Sequence, residues 1–136
     1  MSKFSFEFLV RQRPVSHQTK SRSNLQRWKA FVALEAARTW PSGGQWLTGD
    51  LRFTLVYLAD DSPADIDNII KPIQDALVGM VYEDDALISD VDSHRRLLSE
   101  PIDVTDLPPL LQAGVAAGAE CVYVRVTDAA DLKDYL

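Results

Sequence analysis

At 136 residues, 46% hydrophobic and 25% charged, the chain suits one folded domain whose core needs no disulfide or structural metal. Its single cysteine, Cys121, excludes an internal disulfide, and a net charge of −6 argues against binding nucleic acid through overall charge. No run reaches the ~18 unbroken apolar residues of a membrane span, and the alternating start from Met1 to Val10 is too short and too polar for a signal peptide, so a soluble cytoplasmic protein is expected.

Phe4, Phe6 and Phe8 alternate with Lys3, Ser5 and Glu7, the period-two pattern of a strand with one buried face. Pro14 removes a ladder donor, and Arg13-Pro14-Val15-Ser16-His17-Gln18 turns the chain into a polar, basic loop over about residues 12–23. From Ser23 or Asn24, the positions Leu25, Trp28, Phe31, Val32 and Ala36 recur at helical spacing, and Pro41-Ser42-Gly43-Gly44 ends that helix. Charge is divided unevenly: residues 1–52 carry nine Lys or Arg against three acidic residues, and residues 53–136 carry five against seventeen. Six basic residues and no acidic one fall between residues 8 and 34, either a positive patch on an acidic molecule or a solvated helix face.

Leu51, Phe53, Leu55 and Tyr57 alternate with Arg52, Thr54, Val56 and Leu58, a second strand that becomes apolar on both faces and is therefore central. Asp60-Asp61-Ser62-Pro63 closes it. Between Asp67 and Val78, Ile66, Ile69, Ile70, Ile73 and Leu77 share one helical face, with Asp67, Lys71 and Asp75 opposite. Pro72 leaves the start of this helix open, because the helix either runs through it or begins at it, with Asp65 to Lys71 then a turn or a distorted first turn. Gly79 ends the helix. Leu87 to Arg96 reads as a strand running from acidic to basic; Pro101 to Pro109 form a loop, Leu110 to Ala117 a short helix, and Val122, Val124 and Val126 a last strand. Cys121 fits that strand as a small buried hydrophobe, and Asp128 to Leu136 reads as a solvent-facing or frayed tail.

Chemistry concentrates in Asp65-Ile66-Asp67-Asn68-Ile69-Ile70-Lys71 and Asp84-Asp85. Like charges ~4 Å apart repel by roughly 4 kcal/mol near a protein surface, so carboxylates gathered this densely call for a cation or a proton. Asp-x-Asp on extended backbone sends both side chains one way, and Mg²⁺ takes such oxygens together with water and phosphate. Each piece also has an ordinary explanation: Asp65 or Asp67 as a helix N-cap, Asp84-Asp85 as an exposed turn. A calcium loop fails, since Ile70 and Ala76 stand where it needs Gly and Glu. A phosphotransfer Asp-x-Asp would need apolar residues before Asp65, where Asp61-Ser62-Pro63-Ala64 stand, and no phosphate loop, serine elbow or zinc spacing is present. His17 and His94, in polar surroundings, read as bystanders.

The ordered set Asp65-x-Asp67-Asn68-x-x-Lys71-x-x-x-Asp75-Ala76-Leu77-x-Gly79, then Asp84-Asp85 and an alternating strand, resembles the RusA-like Holliday junction resolvases. The resemblance is specific between residues 65 and 92 and looser elsewhere. It implies a single α/β domain of the α+β kind over residues 1–136, with a small mixed β-sheet packed with helices. It further implies a homodimer that binds four-way or otherwise branched DNA in recombination and repair and makes paired nicks with Mg²⁺, Mn²⁺ standing in. On this resemblance Asp65, Asp67 and Asp85 are metal-binding catalytic carboxylates and Lys71 a catalytic cation, Asp84 being the less certain of the adjacent pair. Arg11, Arg13, Lys20 and Arg22 in the loop, with Arg95 and Arg96, are candidates for DNA phosphate contacts. Pro72 directly after Lys71, the net acidity and an Ala- and Asp-rich carboxy-terminal segment depart from the pattern. Two rivals stand beside this reading: a catalytically inactive module of the same fold that engages DNA or a protein, and a metal-dependent phosphoesterase for small nucleotides.

Overall fold

Alternating residues build the sheet of this protein, whose computed structural model describes residues 5–41 and 46–136. Lys3, Phe4 and the Ser42-Gly43-Gly44 breaker lie outside the described residues. Strands β1 (Ser5–Val10), β2 (Leu51–Ala59), β3 (Ile88–Leu97) and β4 (Cys121–Asp128) form a mixed sheet in the order β1-β4-β2-β3. β4 is antiparallel to β1 and β2, whereas β2 and β3 are parallel and joined through helix α2 (Ile66–Leu77). The class is α+β, as the sequence led us to expect.

Because β2 has a neighbour on each side and helices over both faces, both its faces are buried. Phe53, Leu55 and Tyr57 join Phe6, Phe8, Val122, Val124 and Val126 on one side, where α1 (Arg22–Ala37) contributes Trp28 and Val32 and α2 contributes Ile69, Ile73 and Leu77. Leu58, Leu9, Cys121 and Tyr123 face the other way and meet Leu111 of α3 (Pro109–Ala117). Gly114 permits that close approach, since a Cβ there would lie 3.2 Å from the Cys121 sulfur. Cys121 is a buried free thiol, and burial pushes its pKa up to about 11, so it packs rather than reacts.

Three local expectations change. Ser21, earlier than Ser23 or Asn24, caps α1 by accepting the Asn24 N–H at 3.3 Å, so Arg22 belongs to the helix and not to the loop. Pro72 lies inside α2, which overturns a start at Pro72. Proline leaves the carbonyl four residues earlier without its helical donor; here that carbonyl, on Asn68, accepts the backbone N–H of His17 at 2.6 Å. The tail, finally, is exposed but not simply frayed. Leu132–Tyr135 form a short helix α4, the Tyr135 hydroxyl accepts the Ala130 N–H at 3.0 Å, and the Arg52 guanidinium lies 5.0 Å from the Tyr135 ring centre. Among the described residues no helix is long and apolar enough to cross a membrane.

Candidate active site

Strand direction assembles the site. Val10 pairs with Val122, Leu58 with Cys121 and Ala59 with Leu97, so β1, β2 and β3 all finish at one end of the sheet. Arg11 and Arg13 follow β1 there, Asp60 to Asp67 follow β2, Arg95 and Arg96 close β3, and Glu120 stands just before β4. Ligands of open α/β sheets characteristically bind beyond the carboxyl ends of strands.

From that end α2 runs back along the sheet, its apolar face inward and Asp67, Lys71 and Asp75 one turn apart on the outer face. Gly79, at φ +85°, breaks the helix in the left-handed region and lets the chain return. Asp84 then caps a short 3-10 helix, Asp85–Leu87, by accepting the Ala86 N–H at 3.0 Å, while Asp85 turns to Lys71 and forms an ion pair with it. Lys71 also lies 3.0 Å from Asp75, which is 3.6 Å from Lys29 of α1. The hydrogen bond from Lys71 holds the Asp85 carboxyl below its ordinary pKa against the opposing effect of burial, and bonds to Asp85 and then Asp75 raise Lys71.

Asp65 and Asp67 differ from these paired groups. Asp65 occupies the N-cap position of α2 yet makes no capping bond, both carboxylates are exposed, and neither has a side-chain partner among the described residues. Two free hard-oxygen donors at the N-terminus of α2, with Asp85 of the following 3-10 helix as a third carboxylate, fit a divalent cation in kind. They are not already gathered: among the described residues no three His, Cys, Asp or Glu side chains stand close enough to hold a metal. The structure thus brings together Lys71 and Asp85, and sets Asp67 and Asp65 four and six positions before Lys71, at the N-terminal end of the same helix.

The basic candidates divide as well. Arg11, Lys20, Arg95 and Arg96 are exposed, whereas the Arg13 guanidinium is tied 3.2 Å from Glu120 and 3.5 Å from Asp60. Lys20 and Arg22 line a groove of about 450 Å³ with His17 and Lys29, and Lys29 links that groove to Asp75 on α2.

The family model of endodeoxyribonuclease RusA matches residues 9–103. The chain belongs to the RusA family. Among curated proteins, none matches it. The matched span contains both halves of the acidic site, the basic loop and β3, so the family relationship covers every candidate residue named from the sequence.

Several side-chain pairs of this RusA-family chain, inside the candidate site and elsewhere on the sheet, escaped sequence reasoning. Asp75 shared a helical face with Lys71, a visible signal, but nothing marked it as a partner of Lys29. Arg52 and Asp92 form a further pair at 2.8 Å with Thr54 Oγ1 donating to the same carboxylate at 3.0 Å, a cross-strand relation fixed by register alone. Tyr57 and Glu120, 63 positions apart, are joined by a hydrogen bond of 2.6 Å from the phenol, and no motif announces it.

Proposed function

We propose that this chain is a divalent-metal-dependent endonuclease which, as a homodimer, cuts four-way or related branched DNA by paired nicks in recombination and repair. The observation that carries the reading is the outer face of α2: two unpartnered carboxylates at its N-terminus, and Lys71 one turn on, already engaged by Asp85. Bound Mg²⁺, for which Mn²⁺ substitutes, supplies charge neutralisation at the scissile phosphate and an activated water.

The chain's own groups do the rest. Asp65, Asp67 and Asp85 would hold the ion, Asp85 giving up its ion pair with Lys71. The Lys71 ammonium, a compact point charge, would then offset the charge developing on the phosphate or the leaving oxygen. Asp85 suits this role better than Asp84, whose carboxylate is occupied in capping the turn that follows. Lys20, Arg22 and Lys29 along their groove, with Arg11, Arg95 and Arg96 at the sheet end, supply phosphate contacts on a molecule that is acidic overall. Arg13, held by Glu120 and Asp60, shapes the loop instead.

The test is cleavage of a synthetic four-way junction in Mg²⁺ by wild type and Asp67→Asn. The proposal requires symmetric nicks from wild type and a loss of at least ~100-fold in the variant, the scale of removing a group that acts on the transition state. Nicking retained by metal-loaded Asp67→Asn overturns the catalytic assignment; band shifts without nicks, in either metal, mark a binding module.

A further inference from the structure

Glu120 lies beyond the span that matches the RusA family and carries no motif, yet it sits where the basic loop, the sheet and the acidic helix meet. It precedes β4, and its side chain is only 13% exposed. A carboxylate so little exposed needs donors, and it has two: the Tyr57 phenol at 2.6 Å and the Arg13 guanidinium at 3.2 Å. The phenol is not a terminus of this chain of bonds, because its oxygen accepts the backbone N–H of Ala64 at 3.2 Å. Ala64 is the residue before Asp65. Tyr57 is buried, which favours these partners over water.

Resting on the nuclease reading above, we propose that Glu120 and Tyr57 are positioning residues that set two parts of the site at once. Through Tyr57 and Ala64 they fix where the backbone delivers Asp65, and through Arg13 they fix the basic loop. The two arms are chemically separable. Tyr57 needs only an acceptor oxygen, which an amide provides as well as a carboxylate; Arg13 responds to the negative charge. Glu120→Gln therefore cuts the loop arm and spares the Asp65 arm, Tyr57→Phe does the reverse, and Glu120→Ala cuts both.

The experiment uses the full chain and three readouts: Mn²⁺ affinity by calorimetry without DNA, affinity for a synthetic four-way junction in Ca²⁺, and the thermal midpoint. Tyr57→Phe is expected to weaken Mn²⁺ binding by about tenfold, the equivalent of ~1.4 kcal/mol, with junction affinity within about twofold of wild type. Glu120→Gln is expected to weaken junction binding by about fivefold, leave Mn²⁺ affinity unchanged, and lose junction affinity less steeply as salt rises. Glu120→Ala should show both losses. A purely architectural role predicts parallel changes in both affinities that follow the thermal midpoint; that result, or wild-type behaviour in both conservative variants, overturns the proposal. Asp65→Asn and Asp67→Asn run alongside: if they keep full Mn²⁺ affinity and nicking, the nuclease reading itself is at fault, whereas their loss beside an inert Tyr57→Phe condemns only the positioning claim.

Discussion

The backbone N–H of His17 donates to the carbonyl of Asn68 at 2.6 Å, and Asn68 is the residue whose carbonyl Pro72 deprives of its helical partner. An interior proline ordinarily costs a helix about 3 kcal/mol, partly through that orphaned acceptor. Here the basic loop supplies the missing donor, so the acidic helix at Pro72 becomes a docking point for the loop.

Pro72→Ala tests this docking. Alanine restores an N–H that competes for the Asn68 carbonyl, so the amides following residue 72 gain protection from hydrogen exchange while the His17 amide loses it, by about tenfold if ~1.4 kcal/mol of the contact is lost. An unchanged His17 amide shows that the loop is held elsewhere.

Lys71→Ala separates the two jobs of the lysine. Removing the ammonium releases Asp85 from its ion pair and leaves three uncompensated carboxylates near α2, so Mn²⁺ affinity stays the same or rises while junction nicking falls by roughly 100-fold. Helix stability drops only by the ~0.5 kcal/mol of an i,i+4 pair with Asp75. Parallel loss of metal affinity and activity points instead to a structural lysine.

Much of this molecule was legible in its residues, for reasons that mark where legibility stops. Burial on both faces of β2 showed in the unbroken apolar run toward Leu58, and the outer face of α2 showed in the spacing of Asp67, Lys71 and Asp75, because period and burial are local properties of sequence. The course of α2 through Pro72 was not legible, since the partner that makes it tolerable is a backbone group 51 positions away, from His17 to Asn68. Tyr57 and Glu120 were hidden likewise: their bond depends on strand order, which no periodicity encodes. The pairing of Arg13 was hidden as well, because composition displays its charge and conceals Glu120 beside it.

Acid should unfold the protein through two carboxylates in particular. For Asp92, burial raises the pKa, but hydrogen bonds from Arg52 and Thr54 more than offset it, and Asp85 is lowered by Lys71. Both are thus depressed below the ~3.9 of an unfolded aspartate. The unfolded chain takes up these protons first, so the stabilisation is complete above about pH 4 and is lost as pH falls through the lower folded values. Asp92→Asn should cost about 1 kcal/mol at neutral pH and flatten the decline in urea midpoint below about pH 4. A decline as steep as wild type's excludes Asp92 as a contributor.

The most direct measurement is a crystal structure of the full chain in Mn²⁺, with the ion located by its anomalous signal. One ion between Asp65 and Asp67, with Asp85 turned from Lys71 to join them, is the predicted result. An ion bound elsewhere, or Asp85 still paired with Lys71 at saturating Mn²⁺, contradicts the account.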